Sequence, residues 1–395
     1  MGLGSLNPWM TTKRILIDGG VISELADLGE TNAGDPASLE DFVRWGREEF
    51  PADRTALILW DHGNAWQGYG VDDSSDKDRL SLAEVFQALA DGTAGAGPEP
   101  FAFVGFDACL MADYANLLGM QAFTRYLLVS EEFVPGHGWD YRVFGKLAAD
   151  PTMSETAFGQ EVLKAFEKQA KVNNTVSFIT LAVLDLHAMP QVESAMTSFL
   201  SALTEALEGS VVQIGEARAQ VQEFGANADP TKSYQMVDLG QFAALAGERI
   251  PSLAPFVGPL SQALGDLVVA QVTGKTREDA RGVSLYFPAR EELYLPAFQE
   301  ITWLQPWGAF LHAYFAKQAA WDSAPAFVGG VGNGDVPEPF RGRGIPQGHA
   351  TVTCDADGGL VVEGTLTPGS AEQTSEVYLH VGYFAESDER FVITG

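Results

Sequence analysis

Short apolar runs alternate with amphipathic stretches over the first two-thirds of the chain, the pattern of a mostly parallel sheet covered on both faces by helices. Five runs read as strands: Arg14 to Ile17, Ala56 to Trp60, Phe101 to Phe106, Tyr126 to Val129 and Phe178 to Leu184. Helices fall between them. Ser38 precedes one that turns Leu39, Phe42, Val43 and Trp45 inward, and Ser81 with Glu84 forms a capping box ahead of Leu82, Val85, Phe86 and Leu89. Another helix is predicted from Leu110 to Phe123, directly after Cys109. Pro190 to Leu267 is rich in Ala and Leu and reads as helical. Val283 to Phe287 is a late strand stopped by Pro288, and Trp303, Trp307, Phe310, Leu311 and Tyr314 make a closing aromatic helix.

The periodicity then lapses. Ala326 to Gly348 is rich in Gly and Pro and reads as a linker. Beyond it Ala350 to Cys354, Gly359 to Leu366 and Val377 to Tyr383 alternate like strands. The expected organisation is an α/β domain with a helical extension over 1–325, a linker over 326–349 and a small β unit over 350–395 that continues in a longer natural protein.

Charge narrows the partners. With 24 Lys and Arg against 53 Asp and Glu, the net charge is -29, which repels nucleic acid and anionic membranes and draws cationic partners. No apolar run reaches the roughly 18 residues of a membrane span. Two cysteines, Cys109 and Cys354, exclude a disulfide framework. The first residues show neither the basic nor the apolar region of a signal peptide, so the chain is either cytoplasmic or begins after a removed leader.

Two strand ends carry the chemistry. Leu57 to Trp60 leads into Asp61-His62-Gly63, and Phe103 to Phe106 leads into Asp107-Ala108-Cys109. Ligands of open α/β sheets bind at the carboxyl ends of strands, so both reactive side chains share a rim. A cysteine that opens a helix has its thiolate favoured by free N–H groups, and a nearby imidazole moves the thiol proton to a leaving amine. The N–H groups of Gly63 and Cys109 are candidate oxyanion donors, glycine at 63 letting a substrate approach closely. Taken singly, Cys109 also reads as a small core residue and His62-Gly63 as a turn.

The wider text resembles the clostripain-like cysteine peptidases (family C11) of the caspase-like clan CD. The resemblance is carried by Leu59-Trp60-Asp61-His62-Gly63, Phe106-Asp107-Ala108-Cys109-Leu110-Met111, Ser130-Glu131-Glu132 and Pro135-Gly136-His137-Gly138-Trp139-Asp140-Tyr141. It extends from Asp27-Leu28-Gly29 and Gly34 to Ala37, through Ile179-Thr180-Leu181 and Asp185-Leu186, to Gly282 to Pro288, covering about residues 20 to 315. It implies a caspase-like α/β/α sandwich and a bacterial, secreted or cell-envelope endopeptidase whose leader is absent here. His62 would be the base and Cys109 the nucleophile, with a thioester acyl-enzyme and cleavage after Arg or Lys. Departures are Asn64-Ala65 where the family has a glycine-rich stretch, and a first strand that is shortened or missing.

A desolvated guanidinium needs a carboxylate. Asp107 and Asp140 are the first candidates for a basic P1 pocket, followed by Glu131 and Glu132. The family also implies self-cleavage between His and Cys, for which Lys77 and Arg79 are available, making the uncut chain a zymogen. The acidic run from Asp72 leaves Ca²⁺ open as a cofactor, but Lys77 stands where an EF-hand needs Gly and no Glu closes the loop, so no metal ligands are assigned. His137 is a second candidate base in what reads as a mobile substrate loop; His187, His312, His349 and His380 lack metal-ligand spacing. The expected partners are protein or peptide substrates with basic P1 residues, cut by a monomer that requires no cofactor. The rival readings are an inactive peptide-binding relative and a cysteine acyltransferase on the same scaffold.

Overall fold

Burial on both faces or on neither decides how legible each strand is. The computed structural model describes residues 10–227 and 229–322, and beyond them the backbone of four strands. The first hairpin, β1 (Thr12–Asp18) and β2 (Val21–Gly29), turns on Gly19-Gly20, both at positive φ. Nearly all of β2 is exposed, so it has no alternation to betray it, and it escaped the sequence reading. α1 (Pro36–Glu49) comes next, capped by Asp35 and not, as expected, by Ser38. Pro36 has no N–H to lose at the first helical position, and the Ser38 hydroxyl instead donates to Asn32 O. β3 (Ala56–Trp60) matches the predicted run. A tight hairpin, β4 (Tyr69–Asp72) and β5 (Asp78–Leu80), leads to α2 (Leu82–Gly92), whose Ser81–Glu84 capping box is present.

β6 (Phe101–Asp107), α3 (Tyr114–Met120), β7 (Thr124–Val129), α4 (Phe144–Ala149), α5 (Glu155–Val172) and β8 (Thr180–Asp185) complete the first half. The stretch read as purely helical contains α6 (Met189–Gln220, interrupted at Ser210), α7 (Leu239–Arg249) and α8 (Ala254–Leu267). It also holds β9 (Glu223–Phe224) and β10 (Met236–Asp238), too short to carry a period. After them come β11 (Val268–Thr273), β12 (Ser284–Tyr286) and α9 (Gln305–Asp322). Two hairpins lie further on, β13 (Ala350–Cys354) with β14 (Leu360–Gly364) and β15 (Gly382–Ala385) with β16 (Arg390–Ile393). The expected linker lies outside the described residues.

The main sheet has the order β11-β8-β7-β6-β3. β3, β6 and β7 are parallel, and β8 alone runs against its neighbours. Phe103, Leu128, Leu181 and Val183 pack on Phe158, Val162 and Phe166 of α5. On the opposite face Leu57, Leu59, Val104, Phe106, Leu127 and Val129 join a larger core with α1, α2, α3 and α6. Both faces are covered, as an α/β/α sandwich requires. That larger core runs on without a break into α7, α8, α9 and a second, antiparallel sheet of order β12-β10-β9. The late strand, β12, therefore belongs to this second sheet.

The helix expected to start at Cys109 is a correction. Leu110 takes φ 64°, its N–H donates to Glu132 O (3.2 Å), and Ala112 N donates to Ser130 O (2.9 Å). These long-range bonds hold 109–112 out of the helix, with a turn at Cys109-Leu110, and α3 begins only at Tyr114 behind Asp113. Asp113 is fully buried, and burial pushes its carboxyl up to about 8. The folded protein therefore binds this proton more tightly than the unfolded chain, and stability falls as pH rises from the unfolded carboxyl value toward 8. Thermal unfolding of Asp113→Asn should show a Tm at least about 2 °C above wild type at pH 8, with the difference shrinking toward pH 4. A difference independent of pH would show that proton binding at Asp113 is not its source.

Candidate active site

Parallel pairing of β3 with β6 sets Trp60 beside Asp107. Two more residues on each strand reach His62 and Cys109, so register alone brings the two to one rim. The His62 main chain is pinned by Gly70 N donating to its carbonyl (2.8 Å), while the ring is exposed. Gly63 and Cys109 meet backbone to backbone. A Cβ at 63 would run into the Cys109 carbonyl oxygen and lie 2.9 Å from its carbonyl carbon and nitrogen. Ala65 comes shortly after at φ 52°, a turn that glycine would make without strain, anchored by buried Trp66 against Tyr286 and Phe298.

The Cys109 thiol is free and half-buried. Val134 N–H donates to its sulfur (3.3 Å), and the Gly63 N–H is close enough to favour the thiolate. Burial pushes the thiol above its ordinary value, the two N–H groups oppose that, and the Glu132 and Asp107 carboxylates add to it. The thiolate-favouring helix start expected from sequence is absent because Cys109 lies in a turn ahead of α3.

Asp107 is 3% exposed. Its Oδ2 accepts from Trp139 N (3.0 Å) and Tyr141 Oη (3.1 Å), while Oδ1 is buried with no partner. Gly138, at φ 59°, lets the 135–141 loop close onto this carboxylate. The loop is clasped where the sequence suggested mobility: His137 Nδ1 meets Gly138 O (2.8 Å), His137 Nε2 meets Thr175 Oγ1 (2.9 Å), and Gln169 donates to the His137 carbonyl (3.0 Å). The other carboxylate candidates are engaged elsewhere. Asp140 caps the 3₁₀ turn Tyr141–Val143 and forks onto Arg142. Glu131 is buried and accepts from Gly282 N (2.8 Å) through Oε2, and burial with the Asp238 carboxylate close by raises its carboxyl well above the ordinary value. Glu132 is buried against Arg277 (2.7 Å).

Lys77 and Arg79 are exposed on the β4–β5 hairpin, with Asp76 and Lys77 at positive φ in the turn. Asp72 and Asp78 accept from Ala33 N and Asn32 Nδ2. Among the described residues, no group of three or more His, Cys, Asp or Glu side chains is arranged to hold a metal ion. Sequence reading missed Val134, which acts through its main chain and so leaves no side-chain signal. It also missed Gly105, whose bare Cα leaves room for the Trp139 ring.

An α/β sandwich with adjacent parallel strands ending in histidine and a free cysteine defines a caspase-like cysteine protease. Residues 15–326 match the clostripain family (peptidase family C11), and the chain belongs to that family of cysteine proteases. Clostripain of Hathewaya histolytica is 26% identical over 140 residues, a match spanning 30% of this chain and 26% of that protein. A secreted C11 cysteine protease from Bacteroides thetaiotaomicron, solved with an irreversible peptide inhibitor, superimposes with a TM-score of 0.54 at 17% identity, over 80% of this chain and 86% of its own. An inactive zymogen C11 protease from Parabacteroides distasonis gives 0.52 at 15% identity, over 76% and 81%. At these identities the two structures establish the shared fold.

Backbone-to-backbone contact at Gly63 leaves no flexible side chain to yield. Gly63→Ala should lower unfolding stability by about 1–3 kcal/mol in a denaturant titration. Gly136→Ala, where a Cβ meets nothing within 4 Å, is the control and should change little. Equal effects at the two positions would contradict the close approach.

Proposed function

We propose that this protein is an endopeptidase cutting after Arg or Lys, with Cys109 as nucleophile and His62 as base. The observation that carries the reading is the Cys109 sulfur accepting from Val134 N–H where Cys109 meets Gly63 backbone to backbone, one residue from His62 on the neighbouring strand end. Because the resting thiol is held above its ordinary value, its proton leaves as attack begins. His62, unencumbered at the rim, takes that proton while sulfur bonds to the scissile carbonyl carbon. The N–H groups of Gly63 and Cys109 receive the oxyanion. Collapse expels the amine, which takes the proton from His62, and leaves a thioester that water hydrolyses. Asp107, with a spare oxygen in a desolvated place, receives the P1 cation.

Action outside the cytoplasm belongs to the same reading: the Bacteroides thetaiotaomicron relative is a secreted protease, and no helix among the described residues is long and apolar enough to cross a membrane. So does self-processing, since the Parabacteroides distasonis relative was captured as an inactive zymogen. Lys77 is the favoured site. Freeing the Lys77–Asp78 bond means opening the turn bond of Asp78 N to Ser75 O (2.9 Å) and lifting only the first residue of β5 from Asp72 and Gly34. A cut after Arg79 requires lifting β5, whose backbone packs against Gly34 and whose Leu80 carbonyl meets Gly68.

Fluorogenic peptides ending in Arg, Lys or Asp test the chemistry. Cys109→Ala and His62→Ala should lose Arg cleavage by about a thousandfold or more. Asp107→Asn should lose about a hundredfold in kcat/KM for Arg and Lys while remaining folded. Full activity in Cys109→Ala would sink the nucleophile assignment; normal Arg cleavage in Asp107→Asn would move charge recognition elsewhere.

A denaturing gel with mass spectrometry tests processing. Fresh wild-type protein should show a new N-terminus at Asp78, and Cys109→Ala should stay whole. The same cut in both would implicate another protease.

A further inference from the structure

The segment after β7 holds the candidate nucleophile from two directions. Ser130, Glu131 and Glu132 are all buried. Through its main chain, Glu132 accepts from Leu110 N (3.2 Å), the residue after Cys109. Its carboxylate gathers the neighbouring chain: Oε1 accepts from Phe133 N (2.8 Å) and Gly225 N (3.0 Å), and Oε2 accepts from Arg277 Nε (2.7 Å). The residue after Phe133 is Val134, whose N–H reaches the Cys109 sulfur (3.3 Å). A buried ion pair is weak evidence of a stabilising role, because well-packed apolar side chains hold a fold as well. What an apolar pair lacks is an acceptor for two main-chain N–H groups beside the sulfur.

We infer that Glu132, held by Arg277, is a positioning residue for Cys109, fixing the main-chain turn that aims Val134 N–H at the sulfur. The inference rests on the reading of Cys109 as nucleophile. Glu132 touches neither substrate nor sulfur, but its charge is felt there. The other ionisable groups around the sulfur are the Asp107 carboxylate on its own strand, Tyr234, and His62 on the neighbouring strand end. Arg277 lies beyond Glu132 and offsets its charge.

The full chain is tested as wild type, Glu132→Gln, Glu132→Ala and Arg277→Gln. Iodoacetamide labelling of Cys109 is followed from about pH 5 to about pH 10 by mass spectrometry of its peptide, beside kcat and KM on an Arg-ending substrate. Glutamine keeps an acceptor for Phe133 and Gly225 but removes the charge, so the labelling midpoint should fall by about one pH unit. Arg277→Gln leaves the carboxylate unopposed, and the midpoint should rise. Glu132→Ala removes the acceptor, so kcat should drop by up to about a hundredfold with KM nearly unchanged, and glutamine should restore most of that loss. Unmoved midpoints in Glu132→Gln and Arg277→Gln, or equal kcat in the Ala and Gln variants, would overturn the inference and leave Glu132 a core residue. If Glu132→Ala does not fold, the opposed midpoint shifts still decide. Retained cleavage in Cys109→Ala would instead remove the nucleophile reading, while the labelling midpoints would still report on Glu132.

Discussion

The contact on which the site depends is main chain on main chain. β3 and β6 lie side by side in parallel, and just past their ends Gly63 presses against the Cys109 carbonyl with no room for a side chain. That contact sets how far apart the two strand ends stand, turns the Gly63 N–H toward the sulfur, and places His62 one residue away. Register transmits it into the sheet, where Leu57, Leu59, Val104 and Phe106 are buried on the same face. The site thus inherits its rigidity from the larger core.

Buried acid surrounds this thiol. Asp107, Asp113, Glu131, Glu132 and Asp238 are all buried within or just behind the site. Glu131 accepts from Gly282 N and, like Asp107 and Asp113, keeps one buried oxygen without a partner. Glu132 is paired with Arg277, Asp238 caps α7 through Gln241 N, Asp113 keeps its proton, and Asp107 retains an unpartnered oxygen. Burial, helped by the Glu132 and Asp107 carboxylates, opposes a resting thiolate, which places the burden of deprotonation on a base close at hand. The same negative surroundings suit a cationic substrate side chain, so the chemistry that hinders the free thiol favours the bound complex.

The β4–β5 hairpin sits between the two candidate catalytic residues in sequence but outside the main sheet in space. Its tip is exposed, while its base is tied to Asn32 and Ala33 and packed on Gly34. A break at the tip would leave the pairing of β3 with β6 intact, since none of that ladder's residues lies in the hairpin.

Local sequence determined what local physics controls. Ala56 to Trp60 and Phe101 to Asp107 are apolar runs that make sense only as buried strands, and the Ser81–Glu84 box closes on itself within one turn. His62, Gly63, Asp107 and Cys109 were legible as one group because each stands within three residues of a strand end. Tertiary structure decided the rest. Whether Cys109 opened a helix depended on Leu110 finding Glu132, a partner beyond the reach of helical hydrogen bonding. Asp140 was taken by its neighbour Arg142 and Glu131 by Gly282, while Glu132 became a hub only through Arg277, 145 residues away. A carboxylate's residue type states that it needs partners; only the folded chain determines which donors come within about 3 Å of it, because burial removes water as the alternative.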